Sequence, residues 1–180
     1  DERGNVYATF GDKVWVFDGA GKRTATWPAR DKALLTSLAV CPGGVLAADA
    51  GGRCLVRYDA DGKVLGVIGK KDESRNAPGF VVPSPYFDVA MAPDGLIRVT
   101  NPGRHQIETF SLDGDRGSAW GHFSAEPDGF IGCCNPSNFA IVPAAGGEGG
   151  GLAGFVTAEK GQARVKVFDA DGKFVGLLAA

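Results

Sequence analysis

"CLVRYDADGKVLGVIG", residues 54–69, carries the pattern that decides the fold. An alternating run leads to Tyr58, an Asp-rich turn closes on Gly62, and a second apolar run ends at Ile68. On an extended chain successive side chains point to opposite faces, and Gly supplies the positive φ of a tight reversal. The stretch reads as a β-hairpin with one buried face.

The same frame recurs at "VWVFDGAGKRTATWP" (14–28), "QIETFSLDGDRGSAWG" (106–121) and "RVKVFDADGKFVGLLA" (164–179). Each copy has an aromatic residue (Phe17, Tyr58, Phe110, Phe168), then Gly four residues later (Gly21, Gly62, Gly114, Gly172). Ten residues after the aromatic stands a large apolar residue: Trp27, Ile68, Trp120 or Leu178. Upstream of three copies lies a second strand pair, in "SLAVCPGGVLAAD" (37–49), "FDVAMAPDGLIRVTN" (87–101) and "NFAIVPAAGGEGGGLAGFVTAE" (138–159). Four antiparallel strands per repeat, with aromatics 41, 52 and 58 residues apart, make the chain an all-β propeller. The blades are expected at about 4–28, 37–69, 86–121 and 137–179, with the first lacking its innermost strand. Four repeats suit a part of a larger propeller, with a four-bladed ring as the alternative. An incomplete blade leaves an exposed sheet edge, to be covered by oligomerisation, by the chain's own end or by additional blades. Trp27 and Trp120 are placed between blades, where aromatic area stabilises most. "GGEGGG" (146–151) reads as a hairpin tip and "KKDESRNAPG" (70–79) as a solvated connector.

The composition agrees. With 28 Gly, 10 Pro and one Met in 180 residues, the chain is rich in turns rather than helices. A formal charge of −2, with no basic run longer than two, gives no footprint for nucleic acid. Apolar runs are short and interrupted, so membrane insertion is not expected.

The recurring "apolar-A-V-x-x-x-G-x-L-x-V-x-D/N … V-x-x-F/Y-D-x-D-G-K" resembles the NHL-repeat β-propellers over nearly the whole chain. "PSPYFDVAMAPDG", "NPGRH", "GFIGCCNPSN" and "TAEKGQARVKVF" are similar to a group of exported bacterial NHL-like proteins. The resemblance implies the fold and an extracytoplasmic location, periplasmic or secreted, and little chemistry. It implies a binding scaffold whose channel-face loops meet a protein or small-molecule ligand. Enzymes of this general fold, the gluconolactonase-like hydrolases and the amidating lyases, hold a central metal through carboxylate and Asn or through several His. A metal-assisted hydrolase or lyase with its site on the axis is therefore the alternative.

Nine residues before the aromatic in the last three repeats stand Asp49, Asn101 and Glu159. All are polar, and two readings stay open. They cap their own turns, as Asp and Asn commonly do, or they form a polar ring at the channel mouth. Arg53, Arg104 and Arg164 follow them and suit either the same carboxylates or an anionic ligand. The ligand-binding candidates are Asp49, Asn101, Arg104, His105, Glu159, Lys160 and Arg164. No metal-ligand spacing joins the two histidines, His105 and His122, to other donors, so no metal is assigned. The three oxygen-bearing residues would suit calcium if any cation bound. No nucleophile motif of the G-x-S-x-G type occurs.

"GFIGCCNP" (129–136) sets Cys133 beside Cys134. Neighbouring strand residues face opposite ways, so both cannot be core residues of one strand. One reading is a strained vicinal disulfide, since adjacent Cα atoms lie ~3.8 Å apart against the usual ~4.4–6.8 Å, and with it a redox accessory role. The other is two free thiols, one buried and one facing a loop. Cys41 and Cys54 read as small buried hydrophobes.

Overall fold

The computed structural model describes residues 1–75, 77–145 and 151–179. The four hairpins stand in four antiparallel sheets. Blade one contains β1 (Val6–Phe10), β2 (Lys13–Phe17) and β3 (Arg23–Pro28). Blade two contains β4 (Leu35–Cys41), β5 (Gly44–Asp49), β6 (Cys54–Asp59) and β7 (Val64–Ile68). Blade three contains β8 (Val89–Met91), β9 (Ile97–Asn101), β10 (Gln106–Phe110) and β11 (Arg116–Trp120). Blade four contains β12 (Asn138–Pro143), β13 (Leu152–Ala158), β14 (Val165–Asp169) and β15 (Phe174–Ala179). Strands follow chain order across each sheet, and β4 lies against both β1 and β8. Among the described residues the helical content is two single 3₁₀ turns, Glu73–Arg75 and Pro102–Arg104.

The repeat offsets have a common geometric cause. In every hairpin a register shift just before the aromatic pairs it with the residue six positions on: Phe17 with Arg23, Tyr58 with Val64, Phe110 with Arg116, Phe168 with Phe174. The Asp that follows the aromatic caps the turn. Asp59 Oδ1 accepts from the Asp61 and Lys63 amides, and Asp18 and Asp169 repeat the arrangement. Blade three uses the Ser111 hydroxyl instead, which accepts from Asp115 N.

The alternation of blade two splits its side chains between two joints. Val45, Ala47, Cys54, Val56 and Tyr58 pack with Val14, Val16 and Trp27 of blade one. Leu46, Ala48, Leu55 and Ile68 pack with Phe87, Val89, Ile97, Val99 and Phe110 of blade three. Between blades three and four, Trp120 packs with Phe130, Phe155 and Phe168. The large residue ten after each aromatic thus lies on the next blade. Trp27 covers Gly62, Ile68 touches the site of Gly114, and Trp120 covers Gly172.

The ends of the row differ. Leu178, in the same frame position, is 66% exposed, and no described atom lies over Gly21. Val6 and Phe10 on blade one are exposed as well. A closed four-bladed ring would bury these residues, so the four blades form an open, partial propeller. Cys41 and Cys54 are buried thiols in different joints. The connector 70–79 is mostly exposed, as its composition implies, with Ala77 buried and Asp72 and Ala77 paired as an isolated bridge. The glycine-rich tip, apart from Gly151, lies outside the described residues.

Candidate functional site

Second strands end, and inner strands begin, at the same end of each blade, because the two are antiparallel. The segments leading into the blades therefore meet the turns that follow β5, β9 and β13. Asp49, Asn101 and Glu159 all stand there, and all are buried.

Their side chains turn into their own blades. Asp49 Oδ1 accepts from the amides of Leu34 (3.0 Å) and Gly52 (2.8 Å). Asn101 Oδ1 accepts from Val81 N at 2.9 Å, and Glu159 Oε1 from Ile131 N at 3.0 Å. In each of the last three blades the residue nine before the aromatic hooks a backbone N–H of the segment leading in. Only Asp49 also caps its own turn, through Gly52 N; Asn101 and Glu159 bind the upstream segment and cap no turn of their own. A cation cage on these oxygens would have to break the three hooks, and among the described residues no group of three His, Cys, Asp or Glu is arranged to hold a metal ion.

A second pairing lies seven residues further on. Asn101 Nδ2 donates to Glu108 Oε1 at 2.9 Å, and Arg116 also bonds the Glu108 carboxylate. The same two positions in blade four are Glu159 and Lys166, 3.2 Å apart, with Arg164 Nε 2.7 Å from Glu159 Oε2. Lys166 is fully buried, lies 4.5 Å from the Phe130 ring centre and donates to Gly129 O. Burial pushes the Lys166 amine below its ordinary pKa, against the pull of Glu159. Arg164 also donates to Ala125 O at 3.0 Å. This cluster fastens the segment 125–131 to blade four. Arg164 is thus committed to Glu159, while Arg53 and Arg104 are exposed. His105 has a left-handed backbone, bonds Gly132 O through Nε2 and packs edge-on to the exposed Phe123.

The groups not committed to these hooks converge from three loops. Ser84 and Tyr86 come from the segment before β8, Cys133 and Cys134 from the segment before β12, and Lys160 from the turn after β13. Lys160 Nζ lies 3.4 Å from Ser84 Oγ and 4.5 Å from the Tyr86 ring centre. Among the described residues it has no carboxylate partner. Its backbone is clamped by Asn135, whose Oδ1 accepts from Lys160 N at 2.9 Å and whose Nδ2 donates to Lys160 O at 3.0 Å. Cys133 is exposed, Cys134 is 1% exposed, and their Sγ atoms are 3.0 Å apart. Burial works against the Cys134 thiolate. Hydrogen bonds from Cys133, Ser84 and Lys160, together with the Lys160 charge, nonetheless hold its pKa below the ordinary thiol value. The Cys133 thiol is held above that value, by its hydrogen bond to Cys134 and the charge there.

Asp88, which the sequence reading did not single out, ties the inner strands together. Its Oδ1 accepts from Ser37 Oγ of blade two at 2.6 Å, and its Oδ2 from Phe139 N of blade four at 3.0 Å. One carboxylate thus spans three blades. A cleft of about 650 Å³ lies at the opposite end, between Asp1–Arg3 and the β4–β5 turn at Cys41–Gly44.

No family profile matches the sequence, and no curated protein matches it. Solved structures do match. Hydrazine synthase of Kuenenia stuttgartiensis is 16% identical with a TM-score of 0.66, over 98% of this chain and 46% of that one. A streptogramin B lyase is 12% identical with a TM-score of 0.63, over 97% and 51%. The dihydro-heme d1 dehydrogenase NirN in complex with DHE is 20% identical with a TM-score of 0.61, over 98% and 35%. The likeness is one of fold: the neighbours are β-propeller proteins, and this chain spans about half their length or less. No helix among the described residues is long and apolar enough to cross a membrane.

Proposed function

We propose that the protein is an NHL-like binding scaffold, outside the cytoplasm, whose ligand site is the loop cluster of Ser84, Tyr86, Cys133, Cys134 and Lys160. The observation that carries this reading is Lys160: a half-buried ammonium beside an exposed aromatic ring, with a clamped backbone and no described carboxylate to neutralise it. A cation held over an aromatic ring suits a small ligand, or a protein side chain, that joins an anionic group to an aromatic one. The loops are fixed in advance by Asn135 and Glu159, so little conformational freedom is lost on binding. The hydrolase or lyase alternative draws no support from the geometry, since Asp49, Asn101 and Glu159 each serve to hook the segment leading into their blade.

The test uses benzoate as the anionic aromatic probe and benzamide as its neutral counterpart, followed by amide chemical shifts. Benzoate is expected to move the resonances of Tyr86, Cys133–Asn135 and Lys160 with saturation, and benzamide to move them less. Lys160→Gln should abolish the difference between the probes. Benzoate shifts confined to the cleft at Asp1–Arg3, or no saturable shift at all, would overturn the assignment.

A further inference from the structure

The two adjacent cysteines are not explained by ligand binding. One is in solvent, one is buried, and their sulfur atoms are in contact at 3.0 Å. Neither is tied into the blade cores, unlike Cys41 and Cys54. The surroundings divide two chemical roles between them. Cys133 is reachable by an outside molecule. Cys134 is out of reach, but the Ser84 hydroxyl and the Lys160 ammonium, 3.4 Å from each other, favour its anionic form.

We infer that Cys133 and Cys134 form a thiol–disulfide exchange site, in which Cys133 engages an external low-molecular-weight disulfide and Cys134 resolves the product into a vicinal disulfide. The inference does not depend on the ligand proposed above.

The exchange runs in two displacements. The Cys133 thiol gives its proton to solvent, and its sulfur attacks one sulfur of the external disulfide. That S–S bond breaks, one small thiol leaves and takes up a proton, and a mixed disulfide remains on Cys133. The Cys134 thiolate then attacks Cys133 Sγ. The mixed S–S bond breaks, the second small thiol leaves with a proton, and the vicinal bond is formed. Two protein thiols are oxidised by two electrons, and one external disulfide is reduced to two thiols.

The geometry fits the second displacement better than the first step fits any other order. The resolving sulfur already touches the sulfur it must attack, and Lys160 and Ser84 favour its anionic form. The resulting ring joins Cα atoms only ~3.8 Å apart, closer than ordinary disulfides span, so it is strained and readily reopened. Such a bond suits exchange rather than permanent stapling. Ring closure also removes the thiolate beside Lys160, leaving the ammonium with Ser84 and Tyr86 alone. The oxidised mouth therefore carries more positive charge than the reduced one.

The experiment incubates the whole chain in buffers of varied glutathione disulfide to glutathione ratio, quenches with iodoacetamide, and reads intact and peptide masses. Wild type is expected to pass from two labels on the 133–134 peptide to none, with the mass of two hydrogens lost. Cys134→Ser should instead trap a glutathione adduct on Cys133. Lys160→Gln should slow ring closure by about three- to tenfold, through a smaller thiolate fraction. Rapid quenching of wild type, which needs no variant to fold, should catch the same adduct transiently on Cys133. The inference is overturned if both residues stay labelled at every ratio, if a glutathione adduct persists on wild type, or if Cys133 is found bridged to Cys41 or Cys54.

Discussion

The indole of Trp27 lies across Gly62, four residues after the aromatic of the next blade, so that any Cβ there would overlap the ring. Trp120 stands in the same relation to Gly172, and Ile68 in a looser one to Gly114. The glycine of the hairpin turn thus serves two ends at once. It takes the positive φ of the reversal and leaves room for the preceding blade.

Substitution separates these two uses. Gly62→Ala is expected to cost about 2–5 kcal/mol, from a side chain forced into the left-handed region and a joint overpacked against Trp27. Gly21→Ala carries only the first penalty, about 1–2 kcal/mol, because nothing described lies over it. Urea unfolding midpoints at equal slope should show the difference. Equal losses would mean that the Trp27 contact adds nothing.

Glu159→Ala strips the counter-charge from the buried Arg164 and Lys166 and leaves Ile131 N–H without its acceptor. A loss of about 3–5 kcal/mol is expected for breaking a buried ionic cluster from one side. Glu159→Gln keeps an acceptor for Ile131. Hydrogen exchange should therefore speed up at Ile131 in the Ala variant and much less in the Gln variant.

These variants mark where the sequence is readable. The aromatic, glycine and apolar offsets are local and recur, because each blade presents the same bulge and the same turn. The hooks at Asp49, Asn101 and Glu159 were visible as positions but not as partners. The amides they meet lie 15, 20 and 28 residues upstream, with no sequence pattern of their own. Glu108 and Lys166 were hidden for a related reason. They fill one frame position with opposite charges, since only the pairing with the residue seven before is shared. Asp88 gave no signal either, because its partners are 51 residues away on both sides.

Asp88→Ala should uncouple blade three from both neighbours near the axis. A cost of about 1–3 kcal/mol is expected from the donors left unpaired. The informative readout is the amide of Phe139, which should lose protection while the amides of β6 keep theirs. Unchanged exchange at Phe139 would show that the carboxylate does not couple the blades in solution.

Acid should weaken blade three through Asp94. Partial burial disfavours its charge, but hydrogen bonds from Arg98 and the Leu96 amide, with the Arg98 charge, hold its pKa below the usual value. A carboxyl depressed in the folded state contributes stability that is fully present above the unfolded value, ~3.9, and lost as pH falls through the lower folded one. Asp94→Asn should flatten the fall in stability between about pH 5 and pH 2. An identical slope in the variant would remove Asp94 from the acid response.

Each blade hands a bulky side chain forward and offers a bare glycine turn backward, so the row has a direction, as a row of hooks and eyes does. Its two ends are unlike: an uncovered glycine turn at Gly21 and an exposed Leu178. Like ends offer each other nothing to fill or be filled by. A two-fold contact made by pressing identical ends together is disfavoured by shape, whereas head-to-tail addition continues the existing joint. Whatever meets the Leu178 end has to bring a glycine turn beside an aromatic, and whatever meets the Gly21 end has to bring a large apolar side chain.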